Sequence, residues 1–342
     1  MLQEEQLKLL HFLARYPCLD YESCLHILNT SGDRDKTALS YAFRPLTRNR
    51  YLSKGQDGLV TICAKGRALM ADTPPLISVG GAATRGRVAQ VARMALRMEE
   101  AGIPSFGERR NDTEQYFIPS ACWRRIAPGI LSTTRFLGML MLGEKRYAVY
   151  DIGDGHMDWQ IRAESSLFYY RYGSFETKAD GMLFLCKEEA RIDVAENIIR
   201  QTMWARRQLL SASYAERSRP VRWSHSPIRL RAQYEHVYLT TPTDLRKSIG
   251  WIIREERQIA GQSSGARRLN DPAQGDYEVW PRRYFANPAS DLLKFVYFFS
   301  AVKGGDGLEY TLCTQKKDRE IAHMYPDVND SERVKLLVYK DE

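Results

Sequence analysis

Long apolar runs are missing from this 342-residue chain. No stretch approaches the roughly 18 consecutive apolar residues of a membrane-spanning helix, so no membrane association is expected. Paired metal ligands are missing as well. The six cysteines (Cys18, Cys24, Cys63, Cys122, Cys186 and Cys313) form no Cys-x-x-Cys pair, and the six histidines are equally scattered. That spacing argues against a zinc site and for reduced, mostly buried thiols in a cytoplasmic protein. The opening MLQEEQLKLL is acidic and lacks a basic n-region, so no signal peptide is expected. No internal repeat and no nucleophile elbow is evident; His156 and His225 read as surface or structural residues. Gly81 and Gly86 have the spacing of a phosphate-binding loop. Arg87 and Val88 stand where that loop needs Lys and Ser or Thr, so a helix-starting glycine loop is the better reading. No cofactor, metal or catalytic residue is expected.

What the chain does have is a moderate basic excess. Lys plus Arg number 50 against 42 for Asp plus Glu, a net charge of +8. Where that charge clusters matters more than its sum. Length alone favours two domains.

The first 75 residues hold five elements in order. Leu9, Leu10, Leu13 and Tyr16 fall at helical spacing and predict a helix over 2–16, ended by Pro17. Cys24, Leu25 and Leu28 predict a second over 19–29. A turn at 29–32 follows, with Asp33 as a candidate cap. Leu39, Ala42, Phe43 and Leu46 give one apolar face to a third helix over 35–49, in which Pro45 removes a backbone donor and is expected to introduce a kink. Strands at 51–53 and 59–62 flank Asp57-Gly58, a strong hairpin signal. A helix over 64–71 stops before Thr73-Pro74-Pro75, the expected domain boundary.

This order resembles a winged helix-turn-helix. The stretch Leu46–Leu52 looks like a recognition helix entering the first wing strand. Thr61–Leu69 is similar to the strand-to-helix step Leu-Thr-x-Lys-Gly-Arg-Ala-Leu, with Cys63 in place of the usual capping Thr. From 34 to 67 the basic residues are Arg34, Lys36, Arg44, Arg48, Arg50, Lys54, Lys65 and Arg67, against Asp35 and Asp57 alone. Such a local excess is what phosphate contact needs. Lys36, Thr37, Ser40, Tyr41 and Arg44 lie opposite Leu39 and Phe43 and are expected to reach a major groove. Lys54 and Gln56 sit in the wing, near a minor groove or backbone. A solvated basic face on a protein-binding winged helix is the competing reading.

The remainder, 76–342, reads as a larger α/β domain, making the chain α+β overall. Expected are a helix over 84–102 and strands at 115–119, 134–142, 145–152 and 166–172. The nearly all-apolar strand 182–187 reads as a sheet centre. A helix over 189–208, a strand at 235–240 and a helix over 243–258 follow. Strands near 292–299, 307–313 and 334–339 close the chain, with a short helix at 316–324. Residues 260–283 are rich in Gly, Ser, Asn, Asp and Arg and predict a long mobile loop.

Helix, hairpin, strand, helix, strand resembles a restriction-endonuclease-like core. With the winged helix ahead of it, and Tyr147–Gly153 ending a strand in Asp-x-Gly, the chain resembles the replication–relaxation-type accessory proteins of bacterial plasmids and conjugative elements. Nucleases of that fold need an acid at one strand end and acid-x-Lys on the next, to hold a metal and position water. Asp151 fits the first place. Lys187 is available on the later strand, but Leu185 occupies the acid position, so the core reads as catalytically degenerate. Asp154, Asp158 and Glu164 follow no defensible spacing, and Asp151–Gly155 also reads as a turn.

One further strip is basic. Residues 217–231 carry Arg217, Arg219, Arg222, Arg229 and Arg231 with no acid, and Trp223 is interleaved. Pro220 and Pro227 keep the strip extended, which suits a phosphate backbone and base stacking; an acidic protein surface or a solvated loop is the alternative. Arg267, Arg268, Arg282 and Arg283 around Trp280 form another cluster.

The expected function is DNA binding in a bacterial mobile genetic element, as a transcriptional regulator or an auxiliary relaxosome or replication factor. Its partners are double-stranded DNA and, beyond that, a relaxase or a host nucleoprotein complex, with oligomerisation left open. Two alternatives belong to other classes: a mobile-element inhibitor of a host defence nucleoprotein complex, of anti-CRISPR type, and a divergent metal-dependent nuclease using Asp151.

Overall fold

The computed structural model describes residues 2–29, 32, 35–78, 82–126, 136–153, 179–199, 236–258, 267–269, 275–279, 282–287, 289–304, 308–323 and 332–339. The chain is α+β. It divides into two compact units, one of residues 1–128 with 137–139, the other of 129–136 with 140–342.

The first unit opens with α1 (Glu4–Arg15), β1 (Cys18–Asp20), α2 (Tyr21–Leu28) and α3 (Lys36–Arg48). Leu9, Leu10, Leu13 and Tyr16 are all fully buried, as their spacing predicts. Residues 19 and 20 are strand, not the start of a helix. Asp20 instead caps α2, its side chain accepting from the Ser23 N–H at 2.9 Å. Likewise Asp35 caps α3, accepting from Ala38 N at 2.7 Å; the expected cap Asp33 lies outside the described residues. Helix α3 buries Leu39, Phe43 and Leu46 and runs through Pro45 to Arg48. The Gln6 amide donates to the Ala42 carbonyl at 2.7 Å, tying α1 to α3.

The hairpin follows as β2 (Leu52–Lys54) and β3 (Leu59–Ile62). With β1 it forms an antiparallel sheet in the order β1-β3-β2. Of the turn pair Asp57-Gly58, only Gly58 takes positive φ (74°). Asp57 stabilises the turn differently, accepting from Leu59 N at 3.1 Å. Helix α4 (Ala64–Leu69) has Cys63 at its N-cap, with no side-chain capping bond. A Cβ on Gly66 would stand 2.4 Å from the Tyr51 carbonyl oxygen, so only glycine lets α4 approach the hairpin this closely.

Thr73-Pro74-Pro75 does not end the unit. Helix α5 (Ala82–Glu100) packs against β1 and buries Val88, Val91, Ala92, Ala95 and Met98. Ion pairs join it to the earlier elements, Arg93 to Asp20 at 3.0 Å and Glu99 to Arg15 at 2.8 Å, and the Glu100 carboxylate lies 2.6 Å from His26 Nε2. The expected boundary at 75 therefore falls inside a unit that also takes in β4 (Gln115–Pro119) and α6 (Ser120–Ile126).

Strand β5 (Gly138–Leu142), whose first two residues belong to the first unit, leads through Gly143-Glu144 into β6 (Lys145–Gly153) of the second. Beside it β7 (Gly181–Cys186) and β8 (His236–Thr240) run parallel to β6. All six residues of β7 are buried, as its unbroken apolar sequence predicts. A helix over 191–199, here α7, follows β7. The expected strand 166–172 and the second half of helix 189–208 lie outside the described residues. Next come α8 (Leu245–Gln258) and a second sheet of β9 (Arg267–Arg268), β10 (Tyr277–Val279), β11 (Arg282–Asn287), β12 (Glu309–Thr314) and β13 (Val334–Val338), ordered β13-β12-β11-β10-β9. The region 260–283 thus contributes strands where composition predicted a loop. A further difference is α9 (Leu292–Gly304), which was expected as a strand. Its apolar run is helical and buried nearly all round: Leu292, Leu293, Phe295, Val296, Phe298 and Phe299 are each no more than 2% exposed. Such a helix shows no amphipathic period, and that is why periodicity misreads it. A short helix, α10 (Arg319–His323), precedes β13.

A buried polar cluster links the two sheets of this unit. Asp318, fully buried, receives the Arg191 guanidinium and the Ser290 hydroxyl. Arg191 also donates to the Leu239 carbonyl at 3.3 Å, on β8. Removing one member of such a pair strands the other charge in the interior. Asp318→Ala should therefore lower the unfolding free energy by about 3–5 kcal/mol in urea titration. Asp20 gives a pH-dependent counterpart. Burial opposes its charge, but the Ser23 hydrogen bonds and Arg93 outweigh it and hold the carboxyl below its ordinary 3.8. The stabilisation it provides is complete above that value and is lost as pH falls through the lowered one. Asp20→Ala should cost about 1–2 kcal/mol at neutral pH, with the difference from wild type fading in acid.

Candidate nucleic-acid interface

Helix α3 presents its two sides differently because Leu39, Phe43 and Leu46 fix one of them inward. Lys36, Thr37, Tyr41, Arg44 and Arg48 are exposed on the other side, and Ser40 is half-buried at its edge. Tyr41 is 61% exposed, the most open large apolar side chain among the described residues. The Arg44 guanidinium lies over its ring, 4.6 Å from the centroid. Gln56 is exposed in the hairpin turn. Arg34 lies outside the described residues, as does the whole strip Arg217, Arg219, Arg222, Trp223, Arg229 and Arg231.

Between α3, β2 and the start of α4 runs an open groove of about 790 Å³. Arg44, Arg50, Lys54 and Lys65 line it, with no Asp or Glu among its lining residues. Tyr21, Phe43 and Leu52 supply apolar surface there. Three of the cations rest on aromatic rings. Besides Arg44 on Tyr41, Lys54 Nζ is 3.4 Å above the Tyr21 ring and Lys65 Nζ is 4.8 Å from that of Tyr51. Such contacts orient a cation without neutralising it. The two nearby acids serve the fold: Asp35 caps α3, and Asp57 pairs with Arg85 of α5 at 3.6 Å. Among the described residues, Lys36, Arg44, Arg48, Arg50, Lys54 and Lys65 have no carboxylate partner.

Arg67 departs from the expected site. It is half-buried, and its Nη1 donates to the Ala14 carbonyl at the end of α1, 3.4 Å away. Its cationic end braces α4 on α1 and does not join the exposed cations. Arg282 and Arg283 depart likewise, paired across strands with Glu309 and Glu278. Conversely, Tyr21 and Thr47 line the groove and were not singled out from the sequence. The available signal was the interleaving of Tyr21, Tyr41 and Tyr51 with basic residues.

At the end of β6, Asp151 is exposed and its Oδ1 accepts from the Gly153 N–H at 3.1 Å. Leu185 stands opposite it in register on β7. Among the described residues no three His, Cys, Asp or Glu side chains gather as a metal site would need. No described helix is long and apolar enough to cross a membrane.

The contrast between the two basic residues of α4 is measurable. Arg67→Gln should lower the thermal midpoint, losing a half-buried hydrogen bond worth about 1 kcal/mol, whereas Lys65→Gln should leave it unchanged.

No protein-family model, curated protein or solved structure matches this chain.

Proposed function

We propose that the chain is a DNA-binding protein whose first unit is a winged helix, with α3 lying in the major groove and the β2–β3 hairpin acting as the wing. The observation that carries this reading is the unneutralised basic surface formed by the exposed side of α3 and the groove beside it. The major groove admits an α-helix, and Lys36, Thr37, Tyr41, Arg44 and Arg48 stand exposed on α3 clear of its core contacts. Three further features support the winged-helix reading: the order of α1, α2 and α3, the antiparallel β1-β3-β2 sheet, and the glycine-ended hairpin turn. The second unit serves as a nuclease-like scaffold without a catalytic centre. The hairpin-like succession of β5 and β6, with parallel β7 and then α7, supports that reading. The role proposed for the whole is that of a regulator or auxiliary factor of a bacterial mobile element, of replication–relaxation type.

Salt dependence tests the reading. Each phosphate neutralised contributes about 0.9 to the slope of log affinity against log salt. Arg44→Ala with Arg48→Ala should weaken duplex binding and reduce that slope by roughly two, as measured by fluorescence anisotropy over a salt series. Unchanged affinity in the double variant would sink the proposal.

A further inference from the structure

The groove between α3, β2 and α4 holds more than phosphate contact requires. Phosphates are met by basic side chains on open surface. This concavity lies within the roughly 300–1,000 Å³ of small-ligand sites, and it combines cations with the apolar surface of Tyr21, Phe43 and Leu52.

Arg50 is the second observation. Helices α3 and α5 end in the same way. In α5, Ile103 N bonds to Met98 O and Gly102 N to Glu99 O, with Gly102 at φ 85°. In α3, Tyr51 N bonds to Leu46 O and Arg50 N to Thr47 O, with Arg50 at φ 59°. That left-handed position favours glycine. At α5 the chain uses glycine; at α3 it holds an arginine in a strained conformation, and the side chain lines the groove. Strain of this kind is retained where the side chain has work to do.

We propose that the groove takes one unpaired nucleotide of a DNA strand. Its base would lie against Tyr21, replacing the Lys54 ammonium that now covers that ring, and its phosphate would sit among Arg44, Arg50 and Lys65. A continuous duplex keeps its bases stacked inside and offers the groove only its backbone. The protein would therefore favour a duplex that carries a single-stranded tail. This inference rests on the DNA-binding reading and adds the form of DNA to it.

The test compares a blunt duplex with the same duplex bearing a short single-stranded tail, titrated against the full chain by anisotropy. The tailed form should bind about ten-fold more tightly, the size of one stacked base. Arg50→Gly should bring that ratio towards one and raise the thermal midpoint, because glycine adopts the turn without strain. Lys65→Gln, at an exposed position, should also shrink the ratio. Equal binding of the two duplexes by the wild-type chain overturns this inference and leaves the DNA-binding reading standing; binding of neither overturns both. An Arg50→Gly chain that keeps the ratio, or one with a lowered midpoint, also contradicts the proposal.

Discussion

Asp20 joins the parts of the first unit that the proposed interface depends on. It ends β1, which pairs with β3 of the hairpin. Its side chain caps α2 and receives Arg93 from α5. The next residue, Tyr21, begins α2 and lines the groove. One half-buried residue therefore ties the hairpin, through its backbone pairing, to the start of α2 and the long helix, through its carboxylate. Cap and ion pair reinforce each other, since the Ser23 hydrogen bonds and Arg93 both favour the charged form against burial.

From that frame the charge distribution follows. The acids close to the basic surface are engaged internally, Asp35 as a cap and Asp57 with Arg85. Arg44, Lys54 and Lys65 are held by aromatic rings, which leaves their charge available to an incoming anion. Preorganised charge of this kind lowers the ordering cost of binding. The fold supplies the groove by bringing α4 close to the hairpin, an approach that Gly66 alone permits.

Much of this was legible in the sequence, for reasons that also mark its limits. The helices of the first 75 residues carry apolar residues at helical spacing, and glycine marks the hairpin turn. Strand β1 was not legible, because three residues establish no period. Nor was the extent of the unit: Thr73-Pro74-Pro75 breaks the helix, but whether a domain ends there depends on the packing of α5 against β1. Helix α9 shows the complementary failure, since a segment buried on all sides carries no amphipathic signal. In the candidate site, Lys36, Thr37, Ser40, Tyr41 and Arg44 could be placed by their spacing opposite Leu39 and Phe43, although Ser40 is half-buried. Arg67 could not, because a hydrogen bond to Ala14 across 53 residues leaves no local trace. Tyr21 left only the weaker signal of tyrosines interleaved with basic residues, since its place in the groove is set by tertiary contact.

The central claim is that the exposed side of α3 reads a DNA sequence. Selecting bound fragments from a random duplex pool, with the full chain and with Ser40→Ala combined with Tyr41→Ala, tests it most directly. A reading helix predicts one enriched sequence motif with the wild-type chain and its loss or relaxation in the variant. Recovery of no motif by the wild-type chain, or of the same motif by both, would contradict it.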